Sequence, residues 1–414
     1  MQRTKYACYS TNITMAVIAN ISPLLFLTFR TLYNVSYSQL GLLVLVYFSV
    51  QLLIDLVFSF FSHKFNIEKT VVATPVFAAV GLLVYALAPF ITPNNVYIGL
   101  LLGTLIFSAS GGLAEVLISP VIAAIPAKDP DREMSKLHSI YAWGSVFVVI
   151  VATLYILCFG AENWQYLALL LTIVPITAFL LFLGAKIPKM ETPERVTGAL
   201  KQLKNKNLWL CVAAIFLGGA AECTMSQWAS GYIERALGID KLWGDIFGVA
   251  AFGLTLALGR TLYAKYGRNI TKILLLGAIG AFICYIVAAF SENGIIGLAA
   301  CALTGFCVSM LWPGCLVVAQ EYFKKGGVFI FAMMAAGGDF GASVGPQLVG
   351  IITDTVTASQ SFLSLASKLA ISSEQLGMKT GMLFGSLFPL AAVFVYWYIR
   401  KDIKRKSDCE KEDF

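Results

Sequence analysis

The chain has 414 residues, 58% of them hydrophobic and only 13% charged, with a formal net charge of +7. A water-soluble domain of this length could not hide so much apolar surface in one core, so the composition excludes an ordinary soluble enzyme and points to a chain that crosses a membrane many times. Most of the nine cysteines lie inside apolar segments and none form a C-x-x-C pair, so neither a disulfide framework nor a zinc site is expected.

The start, MQRTKYACYSTNIT, runs into a first apolar span with no convincing cleavage site and is read as a membrane helix, not a removed signal peptide. Stretches long enough to cross a bilayer follow near 10–29, 39–61, 70–90, 96–125, 136–160, 163–185, 207–233, 243–264, 272–291, 294–321, 328–352 and 380–399. The expected fold is therefore all-α, with twelve transmembrane helices and both termini on one side. If the N-terminus is cytoplasmic, only Arg30, Arg235, Lys241, Lys368 and Lys379 of the 30 Lys and Arg fall on the outer side, and Arg260 falls within a span. That asymmetry places both termini in the cytoplasm. It also accounts for the basic tail RKDIKRK by topology, with no need of a nucleic-acid partner.

The polar connection KIPKMETPERVTGALKQLKNKN suits a short amphipathic helix on the cytoplasmic face. It divides the chain into a six-helix bundle over 1–187, a linker over 188–206, a second six-helix bundle over 207–400 and a tail over 401–414. The bundles echo each other: Pro120 in the fourth span matches Pro313 in the tenth, and WGS at 143–145 matches FGA at 340–342. Paired halves of this kind mark a transporter with its substrate site between them at the midplane.

On these features the chain resembles the major facilitator superfamily, which implies two pseudo-symmetric six-helix bundles that rock about a central site. The loop signature of that superfamily is degenerate here. SFFSHKFNIEK has Ser59 at the glycine and His63 at the aspartate, and GRTLYAKYGRN has Ala264 at the second aspartate. Asp55, one turn before Ser59 and on the same helix side as Gln51, is the candidate gating replacement.

The fourth span carries Glu115 in GGLAEVLISP, too deep for its side chain to reach either surface. Tyr97, Thr104, Ser108, Gly111, Glu115 and Ser119 share one side of the helical wheel, a stripe expected to face water or solute. Ser108 and Ser119 are candidate solute contacts on that stripe, and burial or hydration of Glu115 would alter its proton affinity. AEVLISP also resembles the fucose permease branch, whose fourth helix carries a Leu-Glu-x-x-x-Asn-Pro pattern, with Ser119 here in place of Asn. The resemblance implies a proton-coupling role for Glu115. That branch also uses a first-helix aspartate, and this chain offers only Asn20 and Ser22 there. Either one carboxylate carries the coupling, another residue stands in, or transport is uncoupled.

Further acidic residues lie at depth. Glu222 sits in the seventh span as a proton-coupling or solute-binding candidate, with Gln227 and Trp228 as solute ligands if the helix breaks near Ser230-Gly231; helix packing is the competing reading. Asp339 sits among Gly337, Gly341 and Gly345, spaced as in close helix packing. It either pairs with Arg260 as a gate or carries protons. Tyr141 is a candidate solute hydrogen-bonder, Trp143 and Trp312 are either solute platforms or core aromatics, and His138 is a candidate gate residue. With His63 the only other histidine, no metal and no cofactor are expected.

The function expected is secondary transport of a sugar or similar small polar solute, proton-coupled, by a monomer in the plasma membrane of a bacterium. A polyspecific exporter of amphiphiles is the alternative within the fold. A membrane enzyme or sensor has no nucleophile–base set or soluble output domain to support it.

Overall fold

A computed structural model describes residues 1–61, 64–126, 130–188, 203–267, 269–323 and 327–412. His63, Arg268 and most of the linker lie outside these residues. The side chains of Ser59, His138 and Ala264 also lie outside the description. Among the described residues every regular element is helical.

In chain order the helices are α1 (Gln2–Leu24), α2 (Phe26–Tyr33), α3 (Tyr37–Phe61), α4 (Ile67–Ala86), α5 (Ala88–Ile91), α6 (Val96–Ala123), α7 (Pro130–Phe159), α8 (Trp164–Leu171) and α9 (Ile173–Phe182). After the linker come α10 (Lys206–Arg235), α11 (Lys241–Gly244), a π-helical turn (Asp245–Ala250), α12 (Ala251–Tyr266), α13 (Ile270–Phe290), α14 (Gly294–Val308) and α15 (Pro313–Tyr322). The last four are α16 (Gly327–Ala358), α17 (Gln360–Lys368), α18 (Ser373–Gly385) and α19 (Leu387–Glu412). Among the described residues ten helical segments are long and apolar enough to cross a membrane, or eleven when the bent pair α1–α2 counts as one span. Helix α16, 32 residues long, covers the span expected at 328–352.

Local chemistry sets where these helices start, stop and break. Asparagine side chains cap α4, α13 and α14: Asn66, Asn269 and Asn293 accept from the amides of Lys69, Lys272 and Ile295. Asn34 closes α2 in the left-handed conformation that asparagine tolerates better than most residues. Pro23 precedes a bend of 45° between α1 and α2. At Pro313 the missing amide leaves the Ser309 carbonyl without its helical donor, and the span breaks there into α14 and α15.

Packing between spans rests on small residues, as expected where lipid removes the hydrophobic drive between helices. A Cβ at Gly341 would strike the Phe216 carbonyl oxygen, one at Gly345 the Thr224 hydroxyl, and one at Gly337 the Val212 side chain. The glycine repeat thus seats α16 on α10. The helices before the linker pack mainly on one another, as do those after it, and the broadest contact between the two sets is the seam of α3 against α16.

The seam packing can be tested by introducing one methyl group. Gly341→Ala should destabilise detergent-solubilised protein by about 1–3 kcal/mol or more, read as a lower melting temperature. Gly253→Ala, where a Cβ meets nothing within 4 Å, should change it by less than about 0.5 kcal/mol.

Candidate functional site

Three carboxylates from three helices meet beside the α3–α16 seam. Asp55 of α3, Glu115 of α6 and Asp339 of α16 have oxygens that all lie within 4.8 Å of one another. α3 and α6 run side by side in the same direction, so Gln39 meets Tyr97 near one end and Gln51 meets Gly111 two-thirds of the way along. That register puts Asp55, one turn past Gln51, level with Glu115, one turn past Gly111. α16 runs antiparallel to α3, which brings Asp339 to the same depth.

The three differ in exposure. Asp55 and Asp339 are each 2% exposed, while Glu115 is open to solvent. Both oxygens of Asp55 and Oδ2 of Asp339 are buried without a hydrogen-bond partner. At an effective dielectric near 20, two unit charges 4.8 Å apart repel by about 3.5 kcal/mol, less where solvent reaches as it does at Glu115. Three ionised groups therefore need a proton or another cation among them.

The second set contributes an ion pair. Arg260 of α12 places Nη2 3.2 Å from Glu222 Oε1 of α10, and its Nε donates to the Ser309 carbonyl at 3.0 Å. Pro313 cannot satisfy that carbonyl, so the break in the tenth span creates the acceptor that orients the guanidinium. The Asp339–Arg260 pair anticipated from the sequence is not the arrangement found: Arg260 is taken by Glu222. Tyr141 of α7, half-buried, lies within electrostatic reach of Glu115 on one side and of Glu222 and Arg260 on the other. Tyr141 thus lies between Glu115 of the first set and the Glu222–Arg260 pair of the second.

This arrangement of helices and charges has relatives. A sequence model of the Major Facilitator Superfamily matches residues 7–346. The chain belongs to the major facilitator superfamily. Its fold is similar to a bacterial homologue of the human lysosomal transporter Spinster in an inward-facing, occupied conformation, at TM-score 0.72 and 12% identity, covering 96% of each chain. It is similar to a D-xylose–proton symporter at TM-score 0.69 and 15% identity, covering 94% of this chain and 96% of that one. The fucose:proton symporter of E. coli aligns at TM-score 0.61 and 15% identity, covering 95% and 98%. No curated protein sequence matches significantly.

In this facilitator the end of the seam far from the three carboxylates is sealed. Arg30 bonds Glu374 through Nε at 2.9 Å and Nη2 at 2.7 Å, with its guanidinium 4.0 Å above the Tyr37 ring. Asp354 of α16 accepts from the amides of Tyr37 at 3.0 Å and Ser38 at 2.6 Å, capping α3 from the other set of helices. Asp245, fully buried in the π-helical turn, accepts from Thr153 of α7 at 2.8 Å and pairs with Lys241 at 2.9 Å. Lys241 also donates to Ser230. Apart from Lys241, which pairs with Asp245 four residues on and with Ser230 nearby, these bonds join residues far apart in the chain, so no local pattern signals them.

Several expected solute contacts are engaged elsewhere. Trp228 is sealed in the closed seam, donating to the Pro346 carbonyl at 2.9 Å and packing on Phe26 and Tyr37; Gln227 beside it is buried too. Helix α10 runs unbroken through Ser230-Gly231, so the break that would turn both residues toward Glu222 is absent. Trp143 is exposed on a face of α7 shared with Phe147, Ile150, Leu154 and Leu157, opposite Tyr141, and so points out of the bundle. Ser108 is buried and bonds the Thr104 carbonyl of its own helix. The polar stripe of α6 meets α3 at Tyr97 and Gly111; Glu115 is its exposed member, and Tyr97 and Ser119 are half-buried. Asn20 bonds Ala16 and Ser145, tying α1 to α7. Trp312 is half-buried, its ring against Gly338 and Gly219 beside Asp339.

The Glu222–Arg260 pair should behave as a unit. Glu222→Gln and Arg260→Gln should each lower the melting temperature, and their summed losses should exceed the double variant's loss by a coupling energy of about 1 kcal/mol, modest because Arg260 is 43% exposed. Additive losses would show that the two groups do not depend on each other.

Proposed function

We propose that this facilitator is a secondary transporter of a sugar or similar small polar solute, coupled to protons through Glu115. The observation that carries this reading is the position of Glu115: solvent-open, facing the inter-bundle space, and in the same cluster as the buried Asp55 and Asp339. Arg260, Glu222 and Tyr141 supply donors and acceptors suited to hydroxyl groups, and Trp312 adds an apolar edge.

The basic loops assign the open end to the cytoplasm, which makes the conformation inward-facing. The similar Spinster homologue is inward-facing as well, and the similar xylose and fucose symporters, both driven by protons, support a sugar coupled to protons. Outward opening requires the Arg30–Glu374 and Asp354–α3 contacts to part while the cytoplasmic ends of the bundles close. Closure moves Glu115 from water into a dry interface beside two other carboxyls, so its charge must be removed first. A proton does this, and transport is then tied to proton entry. Trp143 and Trp228, expected as solute contacts, do not line the open space, which removes an aromatic platform from the sugar reading and from the amphiphile-exporter reading alike.

Reconstituted into liposomes, the wild type should accumulate its solute from a panel of sugars and polyols under an imposed pH gradient. Glu115→Gln should reduce gradient-driven accumulation to background and leave solute counterflow largely intact. Undiminished accumulation by the variant would remove Glu115 from the coupling step. Binding of hydrophobic drugs alone would replace the sugar reading with the exporter.

A further inference from the structure

The connection between the last two spans holds a helix that the transport reading does not use. α17 follows α16 after the single residue Ser359. Its far end is closed by a left-handed turn: Ala370 has φ 54°, its amide bonds the Ser367 carbonyl at 3.2 Å, and the Ile371 amide bonds that of Ala366 at 3.1 Å. The helix is therefore a closed element with defined sides. Phe362, Leu365, Ala366 and Leu369 fall within about 100° of its wheel, with Leu363 at their edge, while Gln360, Lys368 and the three serines share the opposite side. Of the apolar side only Ala366 is covered, at 3% exposed; Phe362, Leu365 and Leu369 are 37%, 39% and 54% exposed.

Position and charge select what covers the rest. α17 packs mainly on α16 and α18, the elements it joins. The chain leaves the bilayer at the end of α16 and re-enters through α18, so a nine-residue helix tethered this closely stays at the membrane surface. Its neighbours already turn apolar side chains to lipid, Leu348 and Ile351 from α16 and Phe384 from α18. α17 contains no acidic residue, and its one charge, Lys368, lies on the polar side with the sign that phospholipid phosphates attract.

We propose that α17 is an interfacial anchor, lying in the plane of the leaflet at the sealed end, the outer one on the topology of the basic loops. Phe362, Leu365 and Leu369 enter the acyl region, and the serines and Lys368 stay among the headgroups. The apolar side of such a helix sinks about 5–10 Å into the headgroup–acyl boundary. In the chain α17 lies between Asp354 and Glu374, the carboxylates that tie the second set to α3 and to Arg30. The anchor thus holds the stretch that joins two bonds of the sealed end. It requires only that α16 and α18 span the membrane, and it is independent of the solute and of the coupling ion.

The test places one nitroxide label at a time on Leu365→Cys, Leu369→Cys, Ser364→Cys and Lys368→Cys in the full chain, reconstituted in phospholipid nanodiscs. All four positions are exposed, so the variants should fold. Cys158, the exposed cysteine among the described residues, is replaced by Ser, and the signal of the label-treated parent is subtracted. Power saturation then compares oxygen, which concentrates in lipid, with a water-soluble nickel chelate. The oxygen-to-nickel accessibility ratio should be at least about threefold higher at Leu365 and Leu369 than at Ser364 and Lys368. Equal ratios, with the chelate reaching all four labels, would put α17 in water and overturn the anchor. Labels at Leu365 and Leu369 shielded from both reagents would put that side against protein and overturn it equally. Solute uptake is a separate readout: its failure contradicts the transport reading and leaves the anchor standing.

Discussion

A charge inside a bilayer-spanning helix persists only when something offsets it, and the helices here are arranged around that requirement. At the sealed end the offsets are permanent in this conformation: Arg30 with Glu374, Lys241 with Asp245, and Asp354 with the amides that open α3. Each of these contacts except Lys241–Asp245 crosses between the two sets of helices, and Asp245 makes its own crossing through Thr153. The electrostatic bonds of that end are therefore also its mechanical bonds. At the opposite depth the same α3–α16 seam carries Asp55 and Asp339, with Glu115 beside them, and among the described residues none pairs with a basic side chain. One end is locked by charge pairs inside the protein, and the other needs a partner from outside it.

The glycines at 337, 341 and 345 seat α16 on α10, and Gly41 and Gly350 seat it as closely on α3. The charged groups lie along that α3–α16 seam. The break in the tenth span serves the same site: a proline that cannot donate frees the Ser309 carbonyl, which fixes Arg260 against Glu222 at the edge of the inter-bundle space. A membrane protein tolerates irregular backbone where it lines such a space, because polar groups there find partners.

Much of the fold was legible in the sequence because bilayer crossing imposes a local rule, a long apolar run bounded by polar loops. The glycine repeat of α16 and the break before Pro313 follow from equally local chemistry. The depth of Glu115 was legible for the same reason, since it depends only on the length of one helix. Its partners were not. Asp55 and Asp339 meet Glu115 through the register of three helices, and nothing along a single helix encodes that register. The wheel for α6 found a polar side but could not tell a side packed on α3 from one facing water, which is why Ser108 was misjudged. Trp143 and Trp228 failed for a related reason: an aromatic residue fits lipid, a sealed seam or a cavity equally well, and only the neighbouring helices decide.

The central claim is that the two ends of the seam open in alternation. Spin labels at Asn34 and Ser361 would report on the sealed end, and labels at Lys69 and Lys272 on the open end; all four positions are exposed. Pulsed electron-spin distance measurements on the two doubly labelled proteins, with and without solute at acidic pH, then follow both ends. Alternation predicts opposite shifts, the Asn34–Ser361 distance lengthening as the Lys69–Lys272 distance shortens. Distances that both stay fixed, or that change in the same sense, would contradict it.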